Sequence, residues 1–177
     1  MAAYMLVLLA VLSRVLPHPA WLNFTAVGGA LLYFGARRPL RQLWIPVVAL
    51  AATDYYLTAF FYSYPFHISA YLLTWGWYAA IVVLGSVLLS RKTTVSRVSA
   101  GILLAPTSFF LLTNFAAWAA MPQIYPRSLA GLSLSYAAGL PFYRNDLLST
   151  TIVAGLAFGM PAIVHMLSQL RHQPASA

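Results

Sequence analysis

Cysteine is absent from this sequence and carboxylates nearly so: among 177 residues the only acidic side chains are Asp54 and Asp146. Without a thiol the chain forms no disulfide, no thiolate nucleophile and no cysteine-ligated zinc or iron–sulfur centre. The sequence also lacks G-x-S-x-G, H-E-x-x-H and phosphate-binding-loop motifs, so it has no recognisable means of hydrolysing ATP by itself. Charged residues make up 7% of the chain and hydrophobic ones 62%. That is too little polar surface for a soluble monomer and is the composition of an integral membrane protein. No Gly/Ser linker, low-complexity tract or internal repeat interrupts residues 1–177, which reads as a single domain.

What the sequence does contain is a series of apolar runs separated by charge and by proline or glycine. They predict an all-α bundle of six transmembrane helices at about 2–16, 22–36, 43–61, 68–90, 97–120 and 144–170. The first two are short for roughly 30 Å of hydrocarbon, which implies tilting, local thinning or a break near His18 and Pro19. Arg37, Arg38 and Arg41 fall in one connection, Arg91, Lys92 and Arg97 in another, and Arg171 follows the last run. The positive-inside rule makes that side cytoplasmic, with both termini inside a bacterial inner membrane. The net charge of +8 is then topological and implies no nucleic acid. On the outer side, 121–143 contains an amphipathic run from Ser128 to Leu140 before Pro141, read as a short interfacial helix that serves as a lid or a plain connector.

In this orientation the unusual polar residues gather toward the outside. Asp54 lies inside the third run, and an ionisable residue at such a position is a functional-site hypothesis by default. His67 and Tyr71 are spaced i, i+4, and Trp75 and Tyr78 continue the same stripe, suited either to packing or to a large flat ligand. His18, Asp54 and His67 are chemically able to hold a divalent metal, although no short metal-binding spacing joins them. Arg144 can bind an anionic group on a ligand or pair with Asp54, while Asp146 beside it suits the N-terminus of the sixth helix. Asn114, with Trp118 one turn later, needs hydrogen-bond partners on neighbouring helices or on a ligand. Gly28, Gly29 and the Ala26-x-x-x-Ala30 spacing permit close helix packing and could also form a docking surface.

Several strings carry a family resemblance: Arg14 to Pro19, Asn23 to Gly28, the intramembrane Asp54, His67-x-x-x-Tyr71 and Thr113-Asn114-Phe115. Tyr125-Pro126-Arg127-x-Leu129-Ala130-Gly131 and Leu140 to Asn145 complete the set. Over nearly its whole length the chain resembles the substrate-binding S components of energy-coupling factor (ECF) vitamin transporters, and most of all the BtuM-like branch linked to cobalamin uptake. The resemblance implies a compact six-helix bundle that binds a vitamin at its extracellular end. It allows an ECF-type transmembrane subunit and ATPases as partners, and solitary operation is also open. Ligand contacts fall on His18, Asp54, Tyr71 and Arg144, with His67, Asn114 and Tyr125 as further candidates from the residues themselves. BtuM-like proteins of the cobalamin type commonly offer a cysteine to the cobalt, and this chain has none. His67, near that position, is the nitrogen that would replace it as axial ligand, and a different substrate is equally open.

The expectation is therefore a membrane uptake protein for a vitamin, with cobalamin or a related corrinoid as the transported ligand and no resident prosthetic group. Two readings from other classes stand beside it: an accessory membrane subunit whose polar interior fixes helix register, and a membrane enzyme acting on a lipid or a captured vitamin, with Asp54 as acid or base.

Overall fold

A computed structural model describes residues 1–16 and 24–171, and all regular structure among them is helical. His18 and Asn23 lie outside the described residues. Six helices follow one another: α1 (Ala2–Val15), α2 (Val27–Arg37), α3 (Trp44–Tyr56), α4 (Ile68–Leu89), α5 (Val95–Ala120) and α6 (Leu129–Arg171). A 3₁₀ turn, Leu40–Gln42, leads into α3, and a π-helical turn, Leu57–Phe61, continues it. Three stretches are long and apolar enough to cross a membrane: Leu40–Phe61, Ile68–Leu89 and Val95–Ala120. Their outward faces expose Val48, Leu72, Val87, Leu103 and Leu111, an apolar surface that suits hydrocarbon better than water.

Prolines and caps set the helix ends. Leu16 precedes Pro17 and Arg38 precedes Pro39; both adopt extended backbone, as steric pressure from the following ring requires, and they end α1 and α2. Pro46 sits in the first turn of α3, where its missing N–H removes no helical bond. Thr94 accepts from the Arg97 amide at the start of α5, and Ser128 from the Gly131 amide at the start of α6.

α2 is the centre of the bundle and packs against α1, α4, α5 and α6. Its small residues make this possible. A methyl group on Gly35 would collide with the Val82 carbonyl of α4, one on Gly85 of α4 with the Leu32 carbonyl, and one on Gly29 with Val153 of α6. Ala26, Gly28, Gly29 and Ala30 are all buried in this way, so the small-residue stripe is consumed by internal packing and offers no docking surface. α2 begins five residues later than the sequence suggests and is about 16 Å long, and α1 is about 21 Å, against about 33 Å for α4. Both short helices therefore stop well below one end of the bundle.

The two ends differ. Arg37, Arg38, Arg41, Arg91, Lys92 and Arg97 lie at or beside the α2–α3 and α4–α5 connections, where Arg38 bonds Tyr4 and Gln42, and Arg37 reaches Thr93 and packs on Tyr33 and Phe158. The opposite end, formed by the α3–α4 and α5–α6 connections, is rich in rings: Tyr55, Tyr56, Phe60, Phe61, Tyr62 and Tyr64 are all exposed.

The separate interfacial helix expected before Pro141 does not occur; Leu129 to Arg171 is one helix containing both Pro141 and Pro161. The loss of one N–H at Pro141 is outweighed by contacts to α5 on both sides of it. Tyr136 donates to the Leu111 carbonyl, Ser135 to the Asn114 carbonyl, Gly139 abuts the Asn114 amide, and Phe110 lies between the Tyr136 and Tyr143 rings. Packed neighbours commonly hold a proline-containing helix in line when the surroundings are apolar.

The α2–α4 crossing can be tested directly. Gly35→Ala should cost about 1–3 kcal/mol by overpacking, whereas Gly76→Ala, with open space around the added methyl, should leave stability unchanged or raise it. Thermal unfolding of the two variants in detergent reads the difference.

Candidate functional site

Two polar clusters interrupt the apolar interior. The first is built on Asp54, which is 3% exposed. Arg14, in the last turn of α1 and 20% exposed, donates from Nη2 to Asp54 Oδ1 at 2.5 Å. Its Nη1 donates to the Tyr78 hydroxyl at 3.1 Å. Tyr78 lies within reach of Asp54 Oδ2 at 3.4 Å, and the Trp75 indole N–H donates to the same oxygen at 2.9 Å. Both carboxylate oxygens thus have partners, and α1, α3 and α4 are joined at one point.

Above this pair, toward the ring-rich end, the π-helical turn follows Asp54 within one helical turn, and Ser63 takes a left-handed conformation at φ 56° that reverses the chain. The reversal brings Phe66 back over α4. Its ring lies 5.0 Å from Tyr71 and 6.3 Å from Trp75, with 6.0 Å between Tyr71 and Trp75 and all three planes within 26° of one another. Nearly equal separations mean that the centroids form a triangle rather than a column, so the three half-buried rings tile a surface. The Tyr71 hydroxyl is held by Thr58 at 2.5 Å, and the Trp75 indole by Asp54.

The second cluster lies between α5 and α6 around a cavity of about 30 Å³ lined by Pro106, Phe109, Phe110, Thr113, Asn114, Gly139, Phe142, Tyr143 and Asp146. The Asn114 amide donates to the Phe110 carbonyl, and the hydroxyls of Tyr143 and Thr107 are bonded to each other at 3.0 Å. Asp146 is 8% exposed and, among the described residues, forms no ion pair.

The structure distributes the residues singled out from sequence. Asp54, Tyr71, Trp75 and Tyr78 come together. His67 is exposed at the start of α4, eleven residues and about 16 Å along the helix from Tyr78. Among the described residues no three His, Asp or Glu side chains group as a metal would need. Asn114 belongs to the second cluster, and Tyr125 is half-buried in the α5–α6 connection, which is tied down by Trp118 donating to the Pro126 carbonyl and Arg127 to the Ala119 carbonyl. Arg144 does not pair with Asp54; it is exposed on α6 and makes no bond within the described residues. The cation that sequence reasoning missed as a partner is Arg14. Its signal was a basic residue closing the first apolar run, away from the basic end.

Fold and clusters together define the class: an all-helical protein with three helices long and apolar enough to cross a membrane and a buried ion pair bracing its interior. Over residues 1–174 the chain matches DUF6580, described as a family of unknown function, and it belongs to that family. No curated protein and no solved structure matches it.

The ion pair makes a measurable prediction. Asp54→Asn or Arg14→Gln leaves one buried charge without its partner and should destabilise by about 3–5 kcal/mol, while Arg14→Met combined with Asp54→Leu should recover much of the loss. A double-mutant cycle of unfolding in detergent measures the coupling.

Proposed function

We propose that the protein is a multi-pass protein of the bacterial cytoplasmic membrane that binds a flat organic molecule at its ring-rich end and serves its uptake. The observation that carries this reading is the Phe66–Tyr71–Trp75 surface, in which Tyr71 and Trp75 are fixed by hydrogen bonds to Thr58 and Asp54 and Phe66 packs against both. A tile of pre-oriented aromatic faces suits stacking of a planar ligand, since no ordering of the rings is needed on binding. Six basic residues at the opposite end support a cytoplasmic assignment for that end, which turns the aromatic surface outward. The short α1 and α2 place the Arg14–Asp54 pair about 15 Å below the start of α4, at the base of this outer region.

A corrinoid is the substrate we favour within the flat-ligand class, in keeping with the resemblance to BtuM-like and ECF S-component proteins, with His67 at the rim as the nitrogen available to its cobalt. Coupling to an ECF-type transmembrane subunit and ATPases belongs to the same proposal. The burial of Ala26, Gly28, Gly29 and Ala30 assigns any such docking to another face. Asp54 acts here as a brace: its oxygens are engaged by Arg14, Trp75 and Tyr78, so it orients Trp75 instead of serving as acid or base.

Protein purified in detergent should retain a planar organic ligand visible by mass spectrometry, or bind added cobalamin at micromolar concentration. Trp75→Ala and Tyr71→Ala should each weaken binding by about 1–3 kcal/mol, the range for an aromatic stacking partner. His67→Ala should alter the absorption spectrum of a bound corrinoid. Retention of no ligand and no binding of cobalamin would remove the uptake reading.

Because the chain has no native cysteine, its topology can be mapped without background. A cysteine at Ser63 should react with a membrane-impermeant maleimide on intact spheroplasts, and one at Ser90 only after permeabilisation. The reverse pattern would invert the proposed orientation.

A further inference from the structure

The two acids of this chain are buried to a similar degree and treated in opposite ways. Asp54 has a guanidinium, an indole N–H and a phenol around it. Asp146 has no cation within reach among the described residues. Its sequence position beside Pro141 suggests a helix N-terminus, where backbone N–H groups would hold a carboxylate. In the structure α6 begins at Leu129, so Asp146 lies seventeen residues into the helix, nearly five turns from that positive end. Arg144 does not rescue it, because residues two apart on a helix point about 200° apart, and Arg144 is on the exposed side.

Among the described residues, the groups lining the cavity around Asp146 are apolar or neutral. α5 brings Pro106, Phe109, Phe110, Thr113 and Asn114, and α6 itself brings Phe142 and Tyr143. Among the described residues Tyr143 is the sole other titratable group lining this cavity. One turn further along α6, Thr150 is fully buried against Gly28 of α2, and its hydroxyl lies close enough to interact with Asp146 without reaching hydrogen-bond geometry. The cavity has room for one or two waters. A carboxylate in such surroundings has no compensating charge and must take up a cation. Besides the carboxylate the lining offers few acceptors, chiefly Asn114 Oδ1, whose amide nitrogen donates to the Phe110 carbonyl, and the Tyr143 hydroxyl, which is bonded to Thr107, and a metal ion would need a fuller set of oxygens.

We propose that the α5–α6 cavity is a proton-binding site in which Asp146 is held as the neutral acid and exchanges its proton with water in the cavity. One proton is taken up per carboxylate, and on its release the negative charge is left facing Asn114 and Thr150. In the uptake reading above, on which this use alone rests, such a site lets the proton gradient bias α5–α6 packing during transport. The proton site itself is independent of any ligand.

Infrared spectroscopy is unusually direct here because the chain has only two acidic side chains. Purified protein at neutral pH should show the carbonyl stretch of a protonated carboxyl. The band should shift on transfer to D₂O and disappear on alkaline titration. Asp146→Asn should abolish it, and Asn114→Leu, a variant that keeps the carboxyl should the first fail to fold, should move its frequency. Absence of the band at neutral pH would overturn the proposal. So would a band that neither exchanges nor titrates, or one that both variants leave unchanged and that therefore belongs to Asp54. Loss of the band on adding sodium chloride but not choline chloride at fixed pH would show a metal-ion site in place of a proton site. The readout uses no organic ligand, so a positive result alongside failed ligand binding would reject the uptake reading and keep the proton site.

Discussion

A guanidinium and a carboxylate in contact inside an apolar bundle set the conditions for everything around them. Neither charge could remain there alone, so Arg14 fixes where α1 must end relative to α3, and Tyr78 ties α4 to the same point. Pairs of this kind contribute little net stability compared with well-packed apolar residues, because desolvation offsets much of the attraction. What the pair contributes is registry. The Trp75 indole is aimed by Asp54, and Tyr71 and Phe66 are arranged against Trp75, so the orientation of the aromatic surface descends from one buried charge pair.

The registry is possible only because α2 is thin. With glycine at 28, 29 and 35 and alanine at 26, 30 and 36, this helix lets α4 and α6 approach its backbone from different sides. A bulkier α2 would push α4 outward and carry Trp75 and Tyr78 away from Asp54. The shortness of α2 has a second effect. A helix of about 16 Å cannot line the full height of a bundle whose other members run to 33 Å or more, so the interior polar groups lie nearer one end of the molecule than the other.

Much of this architecture is legible in the sequence, and the parts that are not share a cause. Six apolar runs appear as six helices, six of the ten basic residues collect at one end, and the stripe of Tyr71, Trp75 and Tyr78 falls on one face because helical spacing alone puts it there. The partner of Asp54 is a different kind of question. Arg14 and Arg144 are equally available by composition, forty residues before and ninety after, and only the packing of α1 against α3 decides between them. Pro141 misleads for a related reason: local propensity ends a helix there, while Ser135, Tyr136, Gly139 and Tyr143 all find partners on α5 that require it to continue. The triangle of rings was hidden because Phe66 reaches it through the reversal at Ser63, outside any helical period.

The continuity of α6 is also what separates the two carboxylates chemically. Were the helix to start afresh after Pro141, Asp146 would sit at a positive helix end and need nothing else. Carried into the middle of a 43-residue helix, the same side chain loses that support, faces α5 across a small cavity, and among the described residues finds only neutral neighbours. Among the described residues the bundle compensates one acid fully and gives the other no counter-charge, which separates a structural charge from a titratable one. The fixed pair holds the aromatic surface in place. The uncompensated acid answers to protons, through helices α5 and α6 that carry no part of the Arg14–Asp54 brace.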